Sequence, residues 1–334
     1  MIKIAVAGYG YWGPNLVRNI NDSKDACVVS CCDANEERLA LVKAKYPLVS
    51  TTTNYDDLVN DPMVDAIAIS TPVATHYEFA RKAMDHGKHV LLEKPATTSV
   101  AEAEKLVNLA EKHKVTYMVD HTFIYTGAVR KMKELVEQGD LGDLYYLDSV
   151  RINLGLFQRD VNVLWDLAPH DLAILDHLVT EKPSRVSATG ACHVGNGHEN
   201  VAYLTVHFPS GMIAHFHNNW LSPVKIRSML VGGSKKTIHY DDMEVSEKVK
   251  VYNRGVDVTT LEGVHDVRVS YRMGDMWSPR LDQTEALSRM VGEFIGCVQT
   301  GRASMTDGVS GLNVVKILEA SEMSIKHHGK EIIL

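Results

Sequence analysis

The chain has 334 residues, of which 45% are hydrophobic and 23% are charged, and this length and composition predict a globular protein with two domains. Its net charge of −7, from 35 basic and 42 acidic residues, argues against nucleic acid or an anionic membrane as a partner. The chain enters a strand at its first residues and has no apolar run long enough to cross a bilayer, so we expect no signal peptide and no membrane span.

The cysteines indicate the compartment. There are five of them, an odd number, and no two have a CxxC spacing. Reduced thiols are typical of the cytoplasm, and no set of cysteines and histidines has the spacing of a zinc site. We therefore predict a cytoplasmic protein without a bound metal.

The first 121 residues alternate short apolar strands with helices. The predicted strands are Lys3–Ala7, Cys27–Cys32, Leu48–Ser50, Ala66–Ser70, His89–Leu92 and Thr116–Val119. The predicted helices are Pro14–Ile20, Asn35–Ala44, Thr75–Asp85 and Ser99–His113. Ser99 is expected to cap the last helix, because Glu102 follows at the spacing of a capping box. This alternation predicts an α/β domain over residues 1–121, with a doubly wound parallel sheet.

The pattern changes after about residue 122. We predict a strand at Leu144–Val150 and several β-rich runs between residues 184 and 251. The four predicted helices are Gly127–Gln138, Asp166–Leu178, Gln283–Thr300 and Val309–His328. Asp257–Trp277 gives no clear signal, and an ordered loop is the expectation there. Because no long helices separate the β-rich runs, residues 122–334 are predicted to form an α+β domain on an open, mostly antiparallel sheet. Such an open face favours oligomerisation, since it would otherwise expose apolar surface.

Three glycines, Gly8, Gly10 and Gly13, follow the first strand and open the first helix. A GxGxxG turn in this position is typical of dinucleotide binding. Its glycines allow a tight turn, close approach of the pyrophosphate, and close packing of helix on strand. The helix N-terminus also offers free N–H groups to phosphates. We therefore predict that this turn, including Tyr11 and Trp12, binds a dinucleotide and is more than a structural turn.

Asp33 ends the second strand, twenty residues after Gly13. A carboxylate at this position is expected to accept hydrogen bonds from the adenosine ribose hydroxyls. It also repels a 2′-phosphate, so NAD is favoured over NADP as the cofactor. Arg38 is close in sequence and is able to accommodate that phosphate, which weakens the preference.

Another strand ends at Ser70, Thr71 and Pro72, and His76 follows within the next helix. Open α/β sheets bind ligands outside the carboxyl ends of their strands. We therefore expect these four residues to line the trough that holds the dinucleotide. For His76 the alternative is an ordinary histidine on a helix surface.

Glu93, Lys94 and Pro95 follow the buried strand His89–Leu92. A charged pair at the end of such a strand is poorly placed for packing and well placed for a ligand. We therefore place Glu93 and Lys94 beside the cofactor. The alternative is a solvated strand-to-helix turn.

Asp166 and His170 are four residues apart in a predicted helix, so both side chains lie on one helix face. His170 can act as an acid or base near neutral pH, and Asp166 can orient its ring or bind a substrate hydroxyl. The YxxxK pair of short-chain dehydrogenases is absent from the sequence. A local pair that serves only the helix start is the alternative.

These motifs together resemble the glucose–fructose oxidoreductase/inositol dehydrogenase/rhizopine catabolism family, abbreviated Gfo/Idh/MocA. The resemblance covers nearly the whole chain and includes Thr306–Leu312, which is similar to the start of the family's final helix. It implies that Lys94 lies between nicotinamide and substrate and that Asp166 and His170 complete the catalytic site. It further implies a dinucleotide domain followed by a substrate domain, in homodimers or homotetramers.

Two segments, Asn162–Asp171 and Gly274–Pro279, resemble the branch of the family that acts on nucleotide-linked sugars. This resemblance implies hydride transfer at a ring carbon such as C3, with Asn162, Lys94, Asp166 and His170 as substrate-binding residues. Six basic residues are candidates to hold a diphosphate, although each is equally explained as a sheet-edge charge: Lys225, Arg227, Lys235, Lys236, Arg254 and Arg272.

Three alternatives stay open at this point. The first is a dehydrogenase for inositol, a free sugar or another polyol, which shares the reaction class. The second is a glycoside hydrolase that oxidises C3 transiently with tightly bound NAD. The third is an NAD-binding protein without catalysis, against which the complete set of Lys94, Asp166 and His170 argues.

Overall fold

The computed structural model describes residues 1–155, 161–195, 197–260 and 267–334. The chain forms two compact units, of which the first contains Met1–Tyr125 and Thr284–Glu319. The second unit contains Thr126–Gln283 and Ala320–Leu334. A single domain boundary between residues 121 and 122 stays a prediction. In the structure, residues 284–319 also belong to the first unit, although they lie late in the sequence.

A six-stranded parallel sheet forms the centre of the first unit. Its strands are β1 (Ile2–Ala7), β2 (Ala26–Cys32), β3 (Ser50–Thr52), β4 (Ala66–Ile69), β5 (His89–Glu93) and β6 (Tyr117–Asp120). Their order in the sheet is β3-β2-β1-β4-β5-β6, and every neighbouring pair is parallel. The predicted doubly wound α/β fold is thereby confirmed.

The central strands are apolar because both faces of the sheet are covered. All four residues of β4 are fully buried, as are Ile4, Ala5 and Val6 of β1. Strands covered on two faces show continuous apolar runs rather than alternation, and this is the pattern that made them visible in the sequence.

Five helices of the first unit connect these strands. They are α1 (Gly13–Asn21), α2 (Glu36–Lys45), α3 (Asp56–Asn60), α4 (His76–Asp85) and α5 (Val100–His113). Ser99 caps α5 by accepting a hydrogen bond from the Glu102 N–H at 3.4 Å, which confirms its predicted role. Short 3₁₀ turns occupy Val73–Thr75 and Thr122–Tyr125.

The second unit contains a nine-stranded sheet and the helices α6 (Gly127–Glu137) and α7 (Val163–Leu178). The strands are β7 (Leu144–Leu154), β8 (Arg185–Ala191), β9 (Val201–His207), β10 (Ile213–Asn219), β11 (Leu221–Gly233), β12 (Thr237–Asp241), β13 (Val249–Thr260), β14 (Val267–Trp277) and β15 (Ile332–Ile333). Their order is β14-β13-β12-β11-β7-β10-β9-β8-β15. Only β10 and β7 pair in parallel among these strands, so the predicted, mostly antiparallel sheet is confirmed.

The expectation of a loop over Asp257–Trp277 is wrong for the residues that the structure describes there. β13 and β14 form an antiparallel pair, in which Val251 is opposite Trp277. β14 lies at the edge of the sheet, and Tyr271 and Met273 are both 79% exposed. In the sequence, Val267, Val269, Tyr271 and Met273 alternate with Arg268, Ser270 and Arg272, which is the period-2 pattern of a strand, so the loop expectation overlooked this signal.

Helix α7 packs on β7, β9 and β10, and it begins three residues before the predicted start at Asp166. The chain ends with α8 (Ala286–Thr300) and α9 (Gly308–Lys326), close to the two predicted helices. Among the residues described, no helix has both the length and the apolar character needed to span a bilayer.

Candidate active site

The glycine turn after β1 is shaped by close main-chain contacts. Gly8 has φ of +94°, and a Cβ there would lie 2.5 Å from the Ser70 carbonyl oxygen. A Cβ on Gly13 would lie 2.2 Å from the Gly8 carbonyl oxygen. At Gly10, in contrast, a Cβ would meet nothing nearer than the Arg38 guanidinium at 3.4 Å. The main chain is therefore tightly packed at Gly8 and Gly13, whereas space is left next to Gly10. This arrangement fits the close approach of a pyrophosphate to the backbone.

Asp33 lies beside this turn and is nearly buried. Its Oδ2 accepts a hydrogen bond from the Tyr9 N–H at 2.6 Å, and its Oδ1 accepts one from the Asn35 N–H at 2.8 Å. Arg38 Nη1 lies 3.6 Å from the same Oδ2. The carboxylate is thus fixed at the carboxyl end of β2, and its contact with the adenosine ribose stays a prediction.

Tyr11 and Trp12 have different environments within the turn. Tyr11 is 90% exposed and stacks on Trp12, with ring centroids 6.5 Å apart. The Trp12 indole N–H donates to Asp120 Oδ2 at 2.7 Å, so Trp12 ties the turn to the end of β6.

The Ser70–Pro72 segment follows β4 and contacts the glycine turn through the Ser70 hydroxyl, which donates to the Gly8 carbonyl at 2.9 Å. His76 is buried, so the alternative of a surface histidine is wrong. Its Nε2 lies 2.8 Å from the Thr71 carbonyl and its Nδ1 lies 2.9 Å from the Pro95 carbonyl. Burial lowers the pKa of this imidazole. In this structure His76 therefore braces two strand ends against each other, and its lining of the trough stays a prediction.

Lys94 follows β5 directly, and its peptide bond to Pro95 is cis. Glu93 is the last residue of β5 and lies opposite Asp120 of β6 in the sheet register. Burial, followed by the charge of Asp120, raises the Glu93 pKa well above its ordinary value. Two neighbouring carboxyl groups that are shielded from water cannot both ionise easily, so the Glu93 carboxyl is harder to ionise than a free one.

Asp120 and His121 are residues at the same sheet edge that sequence reasoning missed. The Thr122 hydroxyl donates to Asp120 Oδ1, which completes the contacts made by Trp12 on the other oxygen. His121 is buried, and neither ring nitrogen has a hydrogen-bond partner within the described part of the chain. Burial and the charge of Lys94 lower the His121 pKa to about 3, so its imidazole is neutral. Both residues follow a predicted strand, and the rule that identified Glu93 and Lys94 applies equally to them.

Helix α7 of the second unit carries Asn162, Asp166 and His170. Asn162 is the N-cap, and its Oδ1 accepts hydrogen bonds from the Leu164 and Trp165 N–H groups while its Nδ2 donates to Glu199. These contacts give Asn162 a structural role, and its contact with a substrate stays a prediction. Asp166 and His170 are both partly exposed, one helical turn apart.

Two long-range contacts hold α7 and its acidic side chain. The Trp220 indole N–H donates to Asp166 Oδ2 at 3.0 Å. Arg151 of β7 forms a buried, two-pronged ion pair with Asp171, with Nε–Oδ2 and Nη2–Oδ1 distances of 2.9 and 2.6 Å. The helix is therefore anchored to the sheet next to His170.

Several of the basic residues proposed for a diphosphate are engaged within the second unit. Lys236 pairs with Asp140 at 2.5 Å, and Arg227 pairs with Asp242 at 3.4 Å. Arg272 donates to the Lys235 carbonyl. These contacts fit the alternative of sheet-edge charges for Lys236, Arg227 and Arg272. In the ranges described, no group of three or more His, Cys, Asp or Glu side chains is arranged to hold a metal ion.

The parallel sheet and the glycine turn are typical of a dinucleotide-binding protein. A model described as an oxidoreductase family with an NAD-binding Rossmann fold matches residues 2–121, and the model of the Gfo/Idh/MocA C-terminal domain matches residues 129–239. Together they cover more than half of the chain, which therefore belongs to the Gfo/Idh/MocA family. NAD is the cofactor that this membership implies, and the residues around Gly10 and Asp33 fit it.

Individual relatives are more distant. The chain is 29% identical over 221 residues to an uncharacterized oxidoreductase of Streptococcus pneumoniae, covering 62% of this chain and 56%, about half, of that relative. It is 27% identical over 288 residues to the UDP-N-acetylglucosamine 3-dehydrogenase of Acidithiobacillus ferrooxidans, covering 85% of each chain. A solved structure of that dehydrogenase superposes with a TM-score of 0.82, at 24% identity and 98% coverage of both chains.

Proposed function

We propose that the protein transfers a hydride between NAD and a secondary alcohol carbon of a sugar, and that this carbon is C3 of a nucleotide-linked sugar. The observation that carries the proposal is Lys94 at the end of β5, in the same unit as the dinucleotide turn and beside the partly buried Glu93 and the buried Asp120. The pair of Asp166 and His170 on α7 supplies the proton chemistry. The likeness to a UDP-N-acetylglucosamine 3-dehydrogenase supports the choice of substrate.

The cofactor-holding residues have separate tasks. The main chain around Gly8, Gly10 and Gly13 receives the pyrophosphate, and the N–H groups at the start of α1 interact with its charge. Asp33 accepts hydrogen bonds from the adenosine ribose and keeps a 2′-phosphate away. When bound, NAD supplies the carbon that accepts the hydride.

Three residues act on the sugar hydroxyl. His170 takes the hydroxyl proton as the C–H bond of the same carbon gives up its hydride. Lys94 stabilises the negative charge that develops on the oxygen, and its location after a buried strand makes that charge more effective than it would be in water. Asp166 orients His170 or holds a neighbouring hydroxyl. Proton and hydride leave separate atoms, so the product is a ketone.

A substrate panel tests this proposal. We expect the purified protein to reduce NAD, measured by NADH absorbance, with UDP-linked N-acetylhexosamines and more slowly with the corresponding free sugars. Faster turnover of inositols than of nucleotide sugars would move the substrate to the polyol alternative. Tightly bound NAD, release of the aglycone and no accumulation of NADH would indicate the glycoside hydrolase.

We further propose that the protein works in the cytoplasm as a homodimer or homotetramer that covers the open face of its second sheet. Several large side chains on these strands are more than a third exposed: Tyr146, Tyr203, Ile213 and Leu230. Light scattering coupled to gel filtration measures the assembly. A monomer over the working range of concentrations would contradict the expectation.

A further inference from the structure

Trp220 stands between β10 and β11, and only 1% of its surface is exposed. Its indole N–H donates to Asp166 Oδ2 at 3.0 Å, across 54 residues of sequence. An indole nitrogen donates and never accepts, so this contact requires an acceptor oxygen on Asp166. It therefore favours one orientation of the Asp166 side chain.

The indole ring is fixed by its own surroundings. The main-chain N–H of Trp220 donates to the Asn200 carbonyl at 2.9 Å. The main-chain carbonyl of Trp220 accepts from the Gly155 N–H at 3.0 Å. A Cβ on Gly155 would lie 2.4 Å from Trp220 Cδ1, so Gly155 leaves the space that the ring fills. Asn200 is itself fully buried, and its Oδ1 accepts from the N–H groups of His193 and Val194. The donor is thus held on a rigid support.

The helix that carries Asp166 is fixed to the same support. The Val163 N–H donates to the Glu199 carbonyl at 3.0 Å, immediately before Asn200 in the chain. The side chain of Glu199 also accepts from Asn162, the N-cap of α7. Trp220 and Asp166 are therefore joined both through their side chains and through the segment at Glu199 and Asn200.

We propose that Trp220 is a positioning residue for catalysis, which fixes the Asp166 carboxylate in the orientation that serves His170 and the sugar. The inference rests on the role proposed above for Asp166. A carboxylate held at one oxygen presents the other in a defined direction, and loss of such orientation lowers the rate of the chemical step. Trp220 itself touches neither substrate nor cofactor in this role.

The variant Trp220→Phe tests the inference, because phenylalanine keeps an aromatic ring in the site and removes the donor. Trp165→Phe is the matched control. Trp165 is also buried in the second unit, and its indole N–H donates at 3.1 Å to Glu322, a carboxylate outside the proposed catalytic set. Both variants lose one partly buried hydrogen bond to a carboxylate, so similar decreases in thermal stability are expected.

The kinetic readouts separate a positioning role from a structural one. We expect Trp220→Phe to lower kcat by about 10- to 100-fold, as for loss of a hydrogen bond to a charged group, with the NAD affinity unchanged. Trp165→Phe is expected to keep kcat within about twofold, as for a change away from the reacting groups. In an Asp166→Ala background, Trp220→Phe should add little, because residues that act as a unit are not additive.

Four results decide whether Trp220 positions Asp166. Equal kcat values for the two phenylalanine variants, or a Trp220→Phe effect that persists undiminished in the Asp166→Ala background, would overturn the positioning role and leave the proposed function standing. No turnover of any sugar by the unmodified protein, with NAD bound, would overturn the proposed function and this inference together. A kcat loss confined to Trp220→Phe and absent without Asp166 supports it.

Discussion

The two regions that carry the candidate site residues are built in different ways. In the first unit they stand at the carboxyl ends of neighbouring parallel strands, and main-chain contacts such as that of Tyr9 with Asp33 hold them. In the second unit, Asp166 and His170 stand on one helix, held by side chains from elsewhere in the unit. Trp220 lies 54 residues from Asp166, and Arg151 lies 20 residues from Asp171.

The difference explains which part of the chemistry is visible in a sequence. A site at strand ends is specified by strand order and by a few turn residues, both of which leave local patterns. A site on a helix shows only its spacing, because the partners that orient it come from distant segments. The helix site is therefore expected to be the more sensitive to changes far from the reacting atoms.

The largest expected effects are on catalysis, and they span both regions. Lys94→Ala and His170→Ala should each lower kcat by about 10²- to 10⁴-fold, because the proposed mechanism assigns charge stabilisation to Lys94 and proton transfer to His170. NAD binding, measured by fluorescence titration, should persist in both. His177→Ala is the control, since His177 lies on α7 outside the proposed set. Near-normal turnover in His170→Ala would remove the helix site from the mechanism.

The next effect is on stability and concerns the anchor of α7. Arg151→Met leaves Asp171 buried without its ion-pair partner, which is expected to lower the free energy of unfolding by about 3–5 kcal/mol. Arg81→Met breaks two exposed ion pairs, with Glu78 and Asp85, and should cost at most about 1 kcal/mol. Denaturant unfolding measures both. Equal decreases in the free energy of unfolding for the two variants would contradict the view that the buried pair of Arg151 and Asp171 anchors α7.

Sequence patterns were sufficient for most strands of the first unit because those strands are continuously apolar and buried, but they missed helix α3 and placed β3 at Leu48–Ser50 instead of Ser50–Thr52. In β14 the apolar alternation was present but overlooked, and only the structure shows that Tyr271 and Met273 are exposed at the sheet edge. The sequence of helix α8 shows that one of its faces is apolar but does not show what covers that face. Only the structure shows that α8 packs with α1. Local periodicity specifies an element but leaves its partner open.

The same limit applies to the candidate site. Gly8, Gly13 and Asp33 have the environments that their motif predicts, since a motif is a statement about local geometry. His76 has a buried bracing position that no local pattern distinguishes from a surface one. The donor Trp220 had no signal, because its importance depends on the single contact with Asp166.

Cofactor choice tests the strand-end region alone. Asp33→Ala is expected to reduce the preference for NAD over NADP by about 10- to 100-fold, because it removes a charged hydrogen-bond acceptor and a repulsive charge. The ratio of kcat/KM values is the measurement, since loss of the Tyr9 and Asn35 contacts will also loosen the turn. Arg38→Ala should move the ratio the other way. An unchanged ratio in Asp33→Ala would contradict the assignment.

The smallest expected effect is a pH dependence at Glu93. The folded-state pKa of Glu93 is raised, by burial and by Asp120, above the unfolded value of about 4.3. Its contribution is therefore complete below that unfolded pKa and is lost as the pH rises toward the folded pKa. Glu93→Gln cannot ionise and escapes this loss. Relative to the unmodified protein, it should gain about 1 kcal/mol or more in free energy of unfolding between about pH 5 and pH 8.

The control for this experiment is Glu111→Gln, which changes an exposed glutamate on α5. Its difference in free energy of unfolding from the unmodified protein is expected to stay constant between the two pH values. A constant difference for Glu93→Gln as well would show that Glu93 is ionised in the folded protein. In that case its carboxylate would be available to Lys94, and the description of the strand-end region would change.

Hydride transfer from C3 is the central claim, and an isotope label tests it most directly. A UDP-linked N-acetylhexosamine with deuterium at C3 is incubated with the protein and NAD. The masses of the NADH and of the sugar product are then measured by mass spectrometry. Deuterium in the NADH, with a ketone at C3 of the sugar and loss of both products in His170→Ala, is the expected result. Unlabelled NADH, or no NADH with NAD bound, would contradict the account.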